Sequence, residues 1–207
     1  MGDKQLDAVY AARTTHEAET AYDAWASDYD ADLMRMGYRL PWHFAAAVLT
    51  HVPRAGPILD AGCGTGLQME PLHLMGWRGV TGVDLSEGML KVAGAKGLYD
   101  DLQKVDLSQP LPFDSDRFAA CFCVGTLTPG HAPIEALDEL IRVTRPGGHL
   151  VFSLRHDAGQ LPHYPAYVDQ LVAAGRIAET FRSATFATMP LGEPAVRNAI
   201  HVMEVQP

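Results

Sequence analysis

Residues 58–66 read Ile-Leu-Asp-Ala-Gly-Cys-Gly-Thr-Gly, and eighteen residues beyond Gly66 the short run Val80–Val83 ends in Asp84. Two strands side by side, each ending in an acidic residue and one followed by a glycine-rich turn, are how an open α/β sheet presents a crevice to a nucleoside-bearing cofactor. Gly62, Gly64 and Gly66 let the backbone bend sharply and approach a ligand closely. A helix expected directly after them turns its free N–H groups toward the crevice. The fingerprint for NAD is Gly-x-Gly-x-x-Gly, which packs a pyrophosphate onto that helix terminus. Here the spacing is Gly-x-Gly-x-Gly, and Asp60 stands two residues before the first glycine. A carboxylate there repels a pyrophosphate and attracts the ammonium of an amino-acid ligand, directly or through water. The plainer alternative is a tight strand–helix turn with no ligand.

Asp84 closes the second strand, where its carboxylate can accept bonds from both hydroxyls of a ribose. Its alternative role, capping the helix after Ser86, suits Ser86 better. Leu85 and Met89 follow closely and offer a wall for an adenine face, or simply core side chains. Asp106, followed by Leu107, stands after the third expected strand, placed to accept from an adenine amino group. The acids and the glycine spacing together favour S-adenosylmethionine over NAD.

The elements that must carry these residues alternate. Strands are expected at Ile58–Ala61, Gly79–Val83, Gln103–Asp106, Phe118–Val124 and His149–Leu154, with helices at Leu67–Met75, Glu87–Ala95 and Pro133–Thr144. This alternation predicts a parallel sheet with right-handed crossovers. Arg145-Pro146-Gly147-Gly148 reads as a turn that stops one helix and launches the next strand. Ahead of the sheet, residues 15–35 read as a helix with Thr14 or Thr15 as N-cap. Tyr22, Trp25 and Tyr29 fall on one face of it. A second helix over Trp42–His51 ends before Pro53. After the sheet come a helix over Tyr164–Ala174 and two long strands, Ile177–Thr188 and Ala195–Val205, most simply antiparallel across the turn 190–194.

Composition narrows the function. The 207 residues carry a net charge of −9 with no basic cluster, which argues against a nucleic-acid substrate. No apolar run approaches the roughly 20 residues that span a bilayer, and the polar stretch 1–20 is no secretory signal. A soluble, cytoplasmic protein without membrane contact is expected. Three cysteines form no closed disulfide framework. Cys121 and Cys123, on one side of a strand, are expected in the core and not on a metal.

The motifs Asp60-Ala-Gly-Cys-Gly-Thr-Gly66, Gly82-Val-Asp-Leu-Ser86, Asp106-Leu107 and Arg145-Pro-Gly-Gly148 together resemble a class I S-adenosylmethionine-dependent methyltransferase over about residues 20–155. That resemblance implies a Rossmann-like seven-stranded sheet of order 3-2-1-4-5-7-6, strand 7 antiparallel, with helices on both faces. It implies one domain: a helical lid over 1–52, a cofactor-binding core over 53–155, and a C-terminal helix and hairpin over 156–207. It also implies S-adenosylmethionine at the ends of strands 1 and 2, with S-adenosylhomocysteine as product. Tyr22-Asp-Ala-Trp-Ala-Ser-Asp-Tyr-Asp30, Lys96-Gly-Leu-Tyr99, and Cys123-Val-Gly-Thr-Leu-Thr128 followed by Gly130-His-Ala-Pro133 resemble the Williams–Beuren syndrome region methyltransferase-like proteins. By that resemblance Tyr22, Trp25 and Tyr29 line a lid over the cofactor, and Cys63, Val124 and Gly125 join its site. An amphipathic helix packing its aromatic face on the sheet is the equal alternative.

Methyl transfer from a sulfonium needs alignment and exclusion of water more than covalent help, and a general base only where the acceptor arrives protonated. Thr126, Thr128, His131, Arg155 and His156 are the expected acceptor-side residues, and His131, in a loop after Pro129-Gly130, is the candidate base. The motifs of nucleic-acid amino- and cytosine-methylating enzymes are absent, and no separate substrate domain is expected. A small-molecule acceptor, and a monomer or homodimer, are therefore expected. A non-catalytic cofactor-binding module and an NAD-type oxidoreductase are the rivals. Asp84→Ala is expected to weaken S-adenosylmethionine binding by roughly 1–3 kcal/mol, the range for a lost charged hydrogen bond. Calorimetric titration of the folded variant checks this, and unchanged affinity removes Asp84 from the site.

Overall fold

A computed structural model describes residues 2–128 and 131–207. Five parallel strands form its centre: β1 (Ile58–Ala61), β2 (Val80–Asp84), β3 (Asp101–Lys104), β4 (Phe118–Cys123) and β5 (Thr144–Arg155). Three more follow, β6 (Ile177–Arg182), β7 (Phe186–Met189) and β8 (Glu193–Val205). The order is β3-β2-β1-β4-β5-β8-β6, with β7 also on β8, and β8 antiparallel to all its neighbours. This is the expected topology with one correction. The strand expected at Ile177–Thr188 is two, β6 and β7, so the antiparallel strand is the eighth.

Other boundaries shift for physical reasons. The expected third strand, Gln103–Asp106, lies two residues earlier, because β2 offers partners only as far as Asp84, which pairs with Lys104. Asp106 is left in the loop beyond. The turn expected at 145–148 is a bulge within β5: Phe118 pairs with Thr144 and Ala120 with His149, so four residues face one.

The helices are α1 (Gly2–Ala11), α2 (Thr15–Trp25), α3 (Tyr29–Arg35), α4 (Leu40–His51), α5 (Glu70–Leu74), α6 (Glu87–Lys96), α7 (Ala136–Val143) and α8 (His163–Ala173). Sequence reasoning did not find α1, and the single helix expected over 15–35 is broken into α2 and α3. Thr14 starts α2 through a capping box with Glu17. Ala26, Ser27 and Asp28 then form a turn in which Asp28 N–H donates to Trp25 O at 3.0 Å. Beyond the break, the buried Asp32 carboxylate accepts from the Trp25 indole at 2.9 Å and pairs with Arg35. The helix expected at Leu67–Met75 shrinks to α5, since 64–69 are spent in turns.

The sheet is apolar on both sides. Leu59, Cys121, Cys123, Phe152 and Leu154 face α7 and α8. Ile58, Phe122, Val151 and Val202 face α4, Trp77 and the N-terminal helices. Every residue of β4 is buried, as a central parallel strand requires. Phe122 makes edge-on contacts with Phe44, ring centroids 5.0 Å apart, and lies 6.3 Å from Trp77. Phe122→Ala is expected to cost about 3–5 kcal/mol by urea unfolding, the range for a buried phenylalanine truncated in a close-packed core. A loss under about 1 kcal/mol contradicts this packing.

Candidate functional site

The carboxyl end of β1 is tied to that of β2. Gly62 and Cys63 N–H both donate to Val83 O, at 2.8 and 3.0 Å. Gly62 has φ 72°, and a Cβ there would fall 2.4 Å from Thr126 Oγ1, so only glycine fits between the turn and the loop after β4. Asp84 receives the turn: its Oδ2 accepts from Gly64 N–H at 2.8 Å and its Oδ1 from Ser86 N–H at 2.9 Å. Burial pushes the Asp84 carboxyl above the usual range, while these backbone donors pull it back.

A cavity opens over this junction. Gly62, Cys63 and Gly64 form its floor, and the space where a Cβ on Gly64 would stand is open. Asp84, Leu85 and Met89 line one side, and Asp106 and Leu107 continue it. Val124, Gly125 and Thr126 close the far side, with Tyr22 and Tyr29 above. Three residues expected at the cofactor do not line it. Asp60 lies behind the turn, its Oδ2 accepting from Tyr99 O–H at 2.7 Å. Gly66 packs against the Tyr99 ring, 2.9 Å from where its Cβ would be. Trp25 is buried against Tyr29 and Asp32. The helix whose N–H groups were expected to face the crevice starts only at Glu70, so turns carry the backbone past Gly66.

Thr15, Ala18, Thr65, Leu67, Gln68, Val105 and Ala132 also line the cavity and were missed. Gln68 carries the most chemistry. Its Nε2 donates to Tyr38 Oη at 3.2 Å and to Val124 O at 3.5 Å, and its Oε1 is buried without a partner. Its position two residues past the last glycine was the only available signal, and it has no motif status by itself.

A second cavity adjoins the first and shares Tyr22, Tyr29, Gly125 and His131 with it. Its other walls include Tyr10, Trp25, Tyr38, Thr128 and Arg155. His131 Nδ1 lies 2.9 Å from Thr128 Oγ1, and its ring is 5.5 Å from that of Tyr22. Pro129 and Gly130 lie outside the described residues. Arg155 is paired with Asp157 at 2.6 Å. His156 lines neither cavity. It faces a third space beside His201, with the two Nε2 atoms 3.4 Å apart. Thr126 lines only the first cavity and Thr128 only the second.

Residues 59–152 match a family model described as a methyltransferase domain. The human protein methyltransferase-like protein 27 is 40% identical over 162 residues, 74% of this chain and 65% of that protein. The demethylmenaquinone methyltransferase of Streptomyces avermitilis is 31% identical over 161 residues, 77% of this chain and 69% of the relative. The chain spans about two thirds of the length of these two relatives and only about two fifths to just over half of others that it matches. Among solved structures, a [4+2]-cyclase, SpnF, superposes with a TM-score of 0.71 at 16% identity, covering 94% of this chain and 97% of that one. That likeness shows the fold alone. Among the described residues no helix is long and apolar enough to cross a membrane.

Asp60 sets a pH dependence. Its carboxyl is pushed up from the ordinary 3.8 to about 7, mainly by burial; the Tyr99 hydrogen bond opposes the rise and the Asp84 charge adds to it. Between pH 4 and 7 the unfolded chain has given up a proton that the folded chain still holds, so stability falls as pH rises through that window and levels off above it. Asp60→Asn keeps an acceptor for Tyr99 and removes the titration. Urea unfolding of the ligand-free protein at pH 5 and pH 7 is expected to show wild type losing up to about 1.4 kcal/mol per pH unit more than the variant. Parallel losses in the two proteins mean that Asp60 is ionised throughout.

Proposed function

The chain belongs to the class I S-adenosylmethionine-dependent methyltransferases, and from that membership we propose that it transfers a methyl group from S-adenosylmethionine to an O, N, S or C nucleophile of a small molecule. The observation that carries the reading is the adjacency of the two cavities through Tyr22, Tyr29, Gly125 and His131. Group transfer requires donor and acceptor to meet in one water-excluded place. The cofactor, when bound, supplies a methyl already activated on a sulfonium.

The first cavity has the acceptors and walls that S-adenosylmethionine needs. Asp84 retains lone pairs for ribose hydroxyls beyond those given to Gly64 and Ser86. Leu85, Met89 and Leu107 offer apolar faces to adenine, and Asp106 an acceptor for its amino group. Gln68 lines this cavity, and its Oε1, buried without a partner, is our acceptor for the ammonium. Asp60 then acts at one remove, holding the Tyr99 ring against the glycine turn, and Gly66 and Trp25 support the site without touching the ligand. Residues 1–52 act as lid, 53–155 as cofactor-binding core, and 156–207 complete the acceptor side.

The second cavity is the acceptor chamber. His131, fixed at Nδ1 by Thr128, is the proposed base for acceptors that arrive protonated. Thr128 and Arg155 border the acceptor, while His156, on the third cavity, is not needed for it. The relatives named for demethylmenaquinone methylation support a small-molecule acceptor. The segments Tyr22–Asp30, Lys96–Tyr99 and Cys123–Thr128, with 40% identity to human methyltransferase-like protein 27, support placing the chain beside that protein.

Calorimetric titration with S-adenosylmethionine, S-adenosylhomocysteine and NAD in parallel tests the cofactor. Micromolar binding of the two sulfur nucleosides and none of NAD is expected; NAD binding alone overturns the reading. A mass-shift screen of small-molecule acceptors then tests transfer. With an acceptor in hand, His131→Ala is expected to lower kcat by roughly 100-fold or more and to flatten the acidic limb of the pH profile. An unchanged profile shows that no base is needed from His131.

A further inference from the structure

Tyr22-Asp23 and Tyr29-Asp30 repeat one dipeptide seven residues apart. Each tyrosine lines the first cavity, and each aspartate reaches away from it to α6. Asp23 Oδ1 accepts from Ser86 Oγ at 2.5 Å and from Gly88 N–H at 2.8 Å, at the helix's start. Asp30 Oδ2 accepts from Lys96 Nζ at 2.5 Å, at its last residue, while Oδ1 accepts from Thr65 Oγ1 at 2.5 Å. A ten-residue helix is about 15 Å long, so two carboxylates grip α6 at opposite ends.

The grip is built into α6 itself. Ser86 Oγ also accepts from Met89 N–H at 3.0 Å, so the helix's own cap is the group that donates to Asp23. A carboxylate at the N-terminus and a lysine at the C-terminus both sit where the helix dipole favours them. Gly88 is the third sign. A Cβ there would fall 3.0 Å from Asp23 Cα and 3.1 Å from its carbonyl oxygen, so a side chain at this position needs α2 to give way by a few tenths of an ångström. Glycine in a helix is otherwise unfavourable relative to alanine. The further contact of Glu19 with Lys104, at 2.7 Å, is exposed and adds little.

We propose that Asp23 and Asp30 are positioning residues that fasten α2 and α3 across α6 and thereby set how long the cofactor stays bound. The inference rests on reading the first cavity as the S-adenosylmethionine site. Thr15, Ala18, Tyr22 and Tyr29 cover the junction of Gly64 and Asp84. A nucleoside lodged there leaves when this segment lifts, and lifting it breaks the Asp23 and Asp30 contacts while the sheet stays whole.

The test pairs two measurements on the full chain with Asp23→Ala, Asp30→Ala and Gly88→Ala. Amide hydrogen exchange in the ligand-free proteins is expected to quicken at least tenfold across residues 15–35 and to stay unchanged in β4 and β5. Dissociation of S-adenosylhomocysteine, chased with excess unlabelled ligand, is expected to quicken at least tenfold, with association changed far less. Asp23→Asn, which keeps an acceptor for Ser86 and Gly88, is expected to return both readings most of the way to wild type. Exchange and dissociation within twofold of wild type in the three variants overturn the proposal, and Gly88→Ala and Asp30→Ala decide it should Asp23→Ala fail to fold. Failure of the wild type to bind either sulfur nucleoside counts against the cofactor reading, and with it the residence-time claim; the exchange measurement still decides whether the two aspartates fasten the segment.

Discussion

A half-buried carboxylate must find donors, and Asp84 finds them in two backbone N–H groups, Gly64 across the gap between strands and Ser86 two residues ahead. The first bond holds the glycine turn after β1 against the end of β2. The second fixes the start of α6. Ser86, so placed, caps α6 and donates to Asp23 on α2. One desolvated acid therefore orients the turn, the helix behind it and the segment above it. Charge-assisted bonds to backbone N–H groups are strong and directional, which suits a junction where a small error would displace a ligand.

The acids at this junction act on one another. Asp84 raises Asp60, and Asp23 raises Asp84, each adding to the effect of burial. A concentration of negative charge in a partly dry site is costly alone and favourable to a cation. The proposed cofactor carries two positive groups, a sulfonium and an ammonium. The Coulombic strain that the ligand-free fold bears is of the sign such a ligand relieves, and it is the sign that disfavours a pyrophosphate.

The two cavities draw on different parts of the chain. The first is built mostly from the strand ends and loops of residues 59–152, the span that matches the methyltransferase family. The second takes Leu6, Tyr10 and Trp25 from the N-terminal helices, Tyr38 from the loop after α3, Arg155 from the end of β5, and Met189 and Asn198 from β7 and β8. Only Gly125, Thr128 and His131 among its walls belong to the matched span. Family membership therefore speaks to the first cavity, while the second, proposed for the acceptor, is built mainly by segments outside the matched span, as expected where one fold hosts many substrates.

Local spacing was enough to read the glycine turn, Asp84 at a strand end, Ser86 as cap, and the alternation that makes a parallel sheet, because each is a property of neighbours in sequence. The order of strands came from resemblance, and the fold agrees with it. What spacing could not reach was decided by contacts between distant residues. Asp60 turns from the crevice because Tyr99, 39 residues on, gives it a partner. β3 starts early because a strand lasts only where a partner runs beside it. Gln68 gained its place by reaching Tyr38 and Val124, 30 and 56 residues away. The sequence by itself determined the architecture and the kind of ligand at its switch point. Tertiary structure decided which side chains line the cavity there, since burial leaves a polar group one choice among the partners that folding brings within reach.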